Sequence, residues 1–316
     1  MPPKKSNLKI FAGNSHPALA NEIAKSLKLK LSKMDIRRFA NGEIYAKPME
    51  TVRGCDVFVV QSASRNVNED MMELFVMLDS FKRSFARSVH VILPSYPYAR
   101  QDRVASPREP ISARLMADLI TAAGATHVIT LSLHSGQTQG FFNSPVDNIH
   151  THHLFVNYFK KKKLKDLVVV SPDAGGGKAA KRLAEPLGAS LAIVNKMRPG
   201  HNKAVAHSIV GDVKGKTCIL LDDMIDTGGS IIAAQQALLD AGAKKGIFVA
   251  ATHAVFSPPC VDRFKDAKFK EIVVTNSLPI PEEKKLKNLK QISVAPLIAK
   301  VVKNVHEDRS VSGIWK

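Results

Sequence analysis

A chain of 316 residues with 45% hydrophobic content is long enough to fold as two domains, each with a substantial core. Its 46 Lys and Arg against 28 Asp and Glu leave a net charge of +18, but the clusters at 160–163 and 284–290 carry no interleaved aromatics and aromatic content is 6%, which argues against a nucleic-acid platform. The three cysteines, Cys55, Cys218 and Cys260, are odd in number and lack metal-ligand spacing, which excludes a disulfide framework and a zinc site and fits a reducing, cytoplasmic setting.

In chain order, the first residues, Met1-Pro2-Pro3-Lys4-Lys5, are basic but pass into Leu8-Lys9-Ile10-Phe11 without the apolar stretch of a secretory signal. No apolar run approaches the length that spans a bilayer, so no membrane partner is expected. Strand-like runs at 8–12, 56–61, 89–94 and 127–133 alternate with helix-like segments at 17–27, 69–81 and 112–123. The second half repeats the alternation, with strands at 167–171, 191–194, 217–221, 247–252 and 271–274 and helices near 177–187, 231–241 and 260–265. This predicts an α/β fold of two similar domains, each a mainly parallel sheet flanked by helices.

Ala123-Gly124-Ala125 before one strand has a counterpart in Ala241-Gly242-Ala243 before another, consistent with duplication. Turn residues clustered at 141–145 place the boundary near 146–160, giving domains 1–150 and 151–316. The tail 305–316, which holds the lone tryptophan Trp315, is expected to pack on the first domain.

Six segments carry chemistry. Phe39, with Asn41-Gly42-Glu43, offers a ring for stacking and polar groups for a base edge or a metal-bound water, although a core phenylalanine before a hairpin turn reads equally simply. Arg100-Gln101 follows a strand, where open α/β sheets bind ligands; a surface salt-bridge cluster is the alternative. His134 also follows a strand, with Gln137 and Gln139 nearby, and Asp173 precedes a glycine turn, Gly175-Gly176-Gly177. As magnesium favours few carboxylates together with substrate phosphates, His134 and Asp173 make a metal site only with nucleotide present.

Lys196 and Arg198 lie in a basic, Pro-Gly-bearing loop that either closes over phosphates or is an exposed hairpin. The densest signal is at 218–230, an apolar run ending in Asp222-Asp223 and then Asp226-Thr227-Gly228-Gly229-Ser230. A strand-to-helix turn there offers backbone N–H groups to a phosphate, the glycines removing obstructing side chains, while Asp222 and Asp223 suit the hydroxyls of a ribose.

The segment 221–230 resembles the phosphoribosyl-diphosphate motif of the type I phosphoribosyltransferase fold. With 39–44, 98–103, 132–142, 171–176 and 196–198 in one order, the whole chain resembles the ribose-phosphate diphosphokinases. A transferase of the same fold would need only one such domain.

The resemblance implies a magnesium-dependent transfer of the diphosphoryl group of ATP to the C1 hydroxyl of ribose 5-phosphate. It implies an ATP site of Phe39, Asn41, Gly42, Glu43, Arg100, Gln101 and His134, metal ligands His134 and Asp173, and a catalytic pair Lys196 and Arg198. Ribose 5-phosphate falls to Arg198, Asp222, Asp223, Asp226, Thr227, Gly228, Gly229 and Ser230. It also implies a homo-oligomer, dimers assembling to a hexamer, with ATP sites completed by a neighbouring subunit. Ser132 stands where many members have Asp, 104–107 is less polar than usual, and Gly136 stands where members activated by phosphate and inhibited by ADP often have Ser.

Overall fold

The computed structural model describes residues 7–197 and 206–314, with the backbone alone described at 196, 197, 206 and 207. It divides into two compact units. One runs through His150 and takes in Ser277–Pro279 and the segment from Ser293 onward; the other comprises Thr151–Asn276 and Ile280–Ile292.

The first unit contains β1 (Leu8–Ala12), α1 (Pro17–Ser26), β2 (Met34–Arg38), β3 (Ile44–Pro48), β4 (Asp56–Val60), α2 (Val67–Arg83), β5 (Ser88–Leu93), α3 (Ser112–Ala123), β6 (His127–Leu131) and β7 (Val146–Ile149). Its sheet has the order β1-β4-β5-β6-β7, all parallel, while β2 and β3 form a separate antiparallel hairpin. The second unit contains α4 (His152–Lys160), β8 (Leu167–Ser171), α5 (Gly177–Leu187), β9 (Ser190–Met197), β10 (Ala206–Val210), β11 (Thr217–Ile225), α6 (Gly229–Asp240), β12 (Phe248–Ala254), α7 (Cys260–Asp266), β13 (Glu271–Thr275) and β14 (Leu289–Ile292). Its order is β10-β9-β8-β11-β12-β13-β14, parallel except for the β10–β9 pair.

Both units thus share a five-stranded parallel path, β1-β4-β5-β6-β7 in one and β8-β11-β12-β13-β14 in the other. In each, an antiparallel pair is inserted between the first and second strands of that path: β2–β3 and β9–β10. The first insertion carries Phe39–Glu43 at its tip, and in the second β9 ends with Lys196 and Met197.

Central strands are apolar on both faces, as parallel sheets require. In β4 and β13 every residue is buried. In the second unit Val168, Val170 and Leu220 join one core, while Val169, Ile219 and Leu221 join the other with Phe155 and Phe159 of α4. Alternation along each strand divides the two sets.

The hairpin β2–β3 and the strands β7, β10 and β14 fall outside the sequence-predicted runs, because a hairpin or edge strand needs no continuous apolar stretch; β7 holds Asp147 and Asn148. The last helix, α8 (Ala295–His306), belongs to the first unit, so the exchanged segment begins at Ser293 rather than at 305. Leu297, Ile298, Val301 and Val302 are buried, and α8 packs on α1, whose Leu19 and Ile23 are likewise buried. Trp315 lies outside the described residues.

The same helix end reaches a buried polar chain beneath the first sheet. Asp56 accepts from Arg87 at 2.6 and 2.8 Å, from Ser88 Oγ at 2.7 Å, and pairs with His306 Nδ1 at 2.8 Å. Ser88 meets His90 Nε2 at 2.9 Å; His90 Nδ1 lies 3.1 Å from His127 Nδ1, and His127 Nε2 reaches Asp147 at 3.1 Å. Burial first, then His127, pushes the His90 imidazole down to about 4. The unfolded chain binds a proton near pH 6.5 that the folded chain refuses until about pH 4.

Stability is therefore lost as pH falls through that window, by up to about 3 kcal/mol at roughly 1.4 kcal/mol per pH unit. His90→Gln keeps hydrogen-bonding groups but cannot titrate. The melting temperature of the parent minus that of the variant is expected to fall between pH 7 and pH 4.5, and a constant difference would rule this out.

Candidate functional site

In the first unit the sequence-singled residues fall on three segments. Phe39, Asn41, Gly42 and Glu43 form the tip of the β2–β3 hairpin, closed by Phe39 N–H to Glu43 O at 2.9 Å, Gly42 N–H to Phe39 O at 2.9 Å and Glu43 N–H to Asn41 Oδ1 at 3.2 Å. Gly42 has φ +92°, which a glycine tolerates. Phe39 is 52% exposed, edge-on to Tyr45 at 6.0 Å, so it is a surface ring and not a core residue. Arg38 donates to Gly42 O at 3.1 Å and pairs with Glu69 of α2 at 2.6 Å, which rests the hairpin on that helix.

Arg100 and Gln101 follow β5 and His134 follows β6; these strands are parallel neighbours, so both segments leave the carboxyl end of the sheet. Gln101 accepts Ser112 Oγ at 2.7 Å through Oε1 and Ala113 N–H at 3.1 Å through its carbonyl, which straps the segment to the start of α3. Tyr98 Oη bonds Asn68 of α2. Ser132, at φ +42°, turns the chain after β6, and Asn148 Oδ1 accepts Leu133 N–H at 3.1 Å. His134 is exposed, ahead of a 3-10 turn over Gly136–Phe141.

In the second unit Asp173 follows β8 and is exposed. Its Oδ1 accepts Gly176 N–H at 2.9 Å, and Ser171 Oγ donates to its carbonyl at 2.6 Å. A Cβ on Gly176 would stand 2.5 Å from Ser171 Oγ, so this glycine is set by close approach. Because β8 pairs with β11, the Asp173 carboxylate adds to the field on Asp222.

Strand β11 does not stop at the acids: it runs through Asp222 and Asp223 to Ile225, in register with β12 at Asp222↔Ala251 and Ile225↔Ala254. Asp223 N–H donates to Asp222 Oδ1 at 2.8 Å. Burial first, then the charge of Asp223, pushes the Asp222 carboxyl up to about 8. Two carboxylates this close and this shielded from water disfavour ionisation of both at once.

After Asp226, Thr227 and Ser230 are exposed, and Gly228, at φ +76°, caps α6 without a side-chain hydrogen bond. The first-turn amides of such a helix form an anion site. Gly228 also has a packing reason to be glycine. A Cβ on Gly228 would meet Phe264 at 2.7 Å and Cys260 at 3.1 Å, so Gly228 accommodates α7 and a left-handed turn. Arg263 Nη1 donates to Thr227 O at 2.9 Å. Nothing in the sequence marks Arg263, which is 36 residues from Thr227.

Within each unit the predicted residues gather at strand ends. Lys196 is described only in its backbone, at the end of β9, and Arg198 lies outside the described residues. Among the described residues no group of three or more His, Cys, Asp or Glu forms a metal cluster, and no helix is long and apolar enough to cross a membrane. A groove of about 710 Å³ in the second unit, between 209–214 and α6, contains none of the predicted site residues.

Residues 8–124 match the family described as the N-terminal domain of ribose phosphate pyrophosphokinase, and residues 189–316 match the phosphoribosyl synthetase-associated domain. The chain is 50% identical over 311 residues to the ribose-phosphate pyrophosphokinase of Caldanaerobacter subterraneus subsp. tengcongensis, covering 98% of each. It is 48% identical over 309 residues to the Bacillus subtilis protein of the same name, covering 98% of this chain and 97% of the relative. Its fold is similar to the crystal structure of phosphoribosylpyrophosphate synthetase from Mycobacterium smegmatis, with a TM-score of 0.91, 46% identity, and coverage of 96% of this chain and 100% of the other.

Proposed function

We propose, from the premise that this chain belongs to the ribose-phosphate pyrophosphokinase family, a division of its reaction among the segments described above. The enzyme transfers the diphosphoryl group of ATP to the C1 hydroxyl of ribose 5-phosphate, giving 5-phosphoribosyl 1-diphosphate and AMP. A bond forms between the C1 oxygen and the β-phosphorus. The bond from that phosphorus to the oxygen bridging the α-phosphorus breaks, the bridging oxygen leaves with AMP, and the C1 hydroxyl proton is released.

Ribose 5-phosphate is assigned to 222–230, with the phosphate at Asp226–Ser230 and the hydroxyls at Asp222 and Asp223. The observation that carries this is one continuous segment in which the last stretch of a parallel strand carries a carboxyl pair and the helix start that follows offers amides and two exposed hydroxyls. Phe39, Asn41, Gly42, Glu43, Arg100, Gln101 and His134 are assigned to ATP. Lys196 and Arg198 are assigned to charge that develops on the transferred group, and Arg198 also to binding of ribose 5-phosphate.

A metal ion takes part in the reaction, and we assign it as Mg²⁺ held by His134 and Asp173. The chemistry of the donors supports this: one imidazole with one carboxylate leaves most positions for water and nucleotide phosphates, as Mg²⁺ prefers. When bound it would neutralise charge on the β- and γ-phosphates. A cytoplasmic homo-oligomer, dimers assembling to a hexamer, completes the proposal.

Incubation with ATP, Mg²⁺ and ribose 5-phosphate tests the reaction: AMP must form only when the sugar phosphate is present. For the site, Asp223→Asn weakens an acceptor for sugar hydroxyls while leaving the nucleotide segments intact. A charged hydrogen bond is worth about 1.5–3 kcal/mol, so KM for ribose 5-phosphate is expected to rise about 10- to 100-fold. A change confined to KM for ATP would show the two substrates assigned the wrong way round.

A further inference from the structure

The loop that opens α6 is gripped from behind by α7. Cys260 and Phe264, four residues apart and both buried, close on Gly228, leaving no room there for a side chain. Arg263, on the exposed flank of the same helix, brings Nη1 to within 2.9 Å of Thr227 O, and that nitrogen lies 3.4 Å from where a Cβ on Gly229 would stand. In a trans peptide the C=O and the following N–H point in opposite directions. The guanidinium that fixes the Thr227 carbonyl therefore also fixes the direction of the Gly228 N–H, away from Arg263 and beside the first-turn amides of α6.

We propose that Arg263 is a positioning residue for ribose 5-phosphate: it holds the Thr227–Gly228 peptide so that an N–H, and not a carbonyl oxygen, faces the 5-phosphate. The inference rests on the assignment of 226–230 to that phosphate. Gly228, lacking a Cβ, resists rotation of this peptide less than any other residue would. A rotated peptide would turn a partial negative charge toward a dianion. The Arg263 charge adds to the same effect, standing beside the loop and opposing the field of the adjacent Asp226 carboxylate.

An exposed arginine making one bond to a carbonyl contributes little to global stability, so a stability readout and a substrate readout separate the two roles. Arg263→Ala is expected to raise KM for ribose 5-phosphate about tenfold, the effect of one charge-assisted hydrogen bond, with kcat and KM for ATP within about twofold. Its melting temperature should match the parent. Arg263→Lys, which can still donate to the Thr227 carbonyl, should recover most of the loss.

The proposal is overturned if Arg263→Ala leaves KM for ribose 5-phosphate unchanged while Asp223→Asn raises it. It is equally overturned if both KM values and the melting temperature move together, or if Arg263→Lys is no better than Arg263→Ala. If Asp223→Asn also leaves that KM unchanged, the assignment of the sugar-phosphate site itself fails, and the role of Arg263 with it.

Discussion

Gly228→Ala is expected to be one of the two most damaging single changes among those considered, lowering stability by about 2–5 kcal/mol and disabling use of ribose 5-phosphate. Two costs add. Alanine at φ +76° pays about 1–2 kcal/mol for a left-handed conformation. The new methyl group would stand 2.7 Å from Phe264 Cε1 and 3.1 Å from Cys260 Sγ, both on a buried helix face, and overpacking of that kind costs about 1–3 kcal/mol. Relief of the clash means moving either α7 or the loop, and moving the loop misaligns the first-turn amides of α6. Gly136→Ala is the control: its φ is not in the left-handed range and nothing lies within 4 Å of the added Cβ. Thermal melts and KM for ribose 5-phosphate measured on both variants decide the matter; a Gly228→Ala protein that melts with the parent and keeps its KM would show the loop to be unconstrained.

Lys196→Ala is expected to lower kcat by about 10²–10³, the usual cost of one well-placed electrostatic donor. The loss should fall on turnover and not on ATP affinity, because a cation at the end of β9 is assigned to charge that grows as the diphosphoryl group transfers, and such an interaction acts mainly in the transition state. Single-turnover rates with saturating ATP, beside equilibrium binding of ATP, separate the two. Unchanged turnover would remove Lys196 from the mechanism, whereas a loss of binding alone would make it a ground-state contact.

What could be read from the chain was what lies contiguous along it. Runs such as Asp56–Val60, Leu167–Ser171 and Glu271–Thr275 are buried on both faces, and that burial is written in their composition. The alternation of strands and helices conveyed a parallel α/β fold in each half, and the strand-to-helix turn at 222–230 was legible because strand, turn and helix start follow one another without a break. The positions of Phe39–Glu43, Arg100–Gln101, His134 and Asp173 at a hairpin tip and at strand ends were likewise local signals.

Only the tertiary structure decided the rest, because the deciding contacts are long-range. Edge strands β7, β10 and β14 pair on one side only, so they carry no continuous apolar signature. Phe39 became a surface ring because its hairpin rests on α2 through Arg38 and Glu69, residues 31 positions apart. The segment from Ser293 returned to the first unit because the apolar face of α8 finds its cover on α1, nearly the whole chain away. The packing of Phe264 and Cys260 behind Gly228 and the bond from Arg263 to Thr227 exist only because folding sets α7 against that loop. Local propensity and hydrophobic pattern record what each segment can become; which side chain stands behind a loop depends on closing chain segments dozens of residues long, and no residue within the loop encodes that.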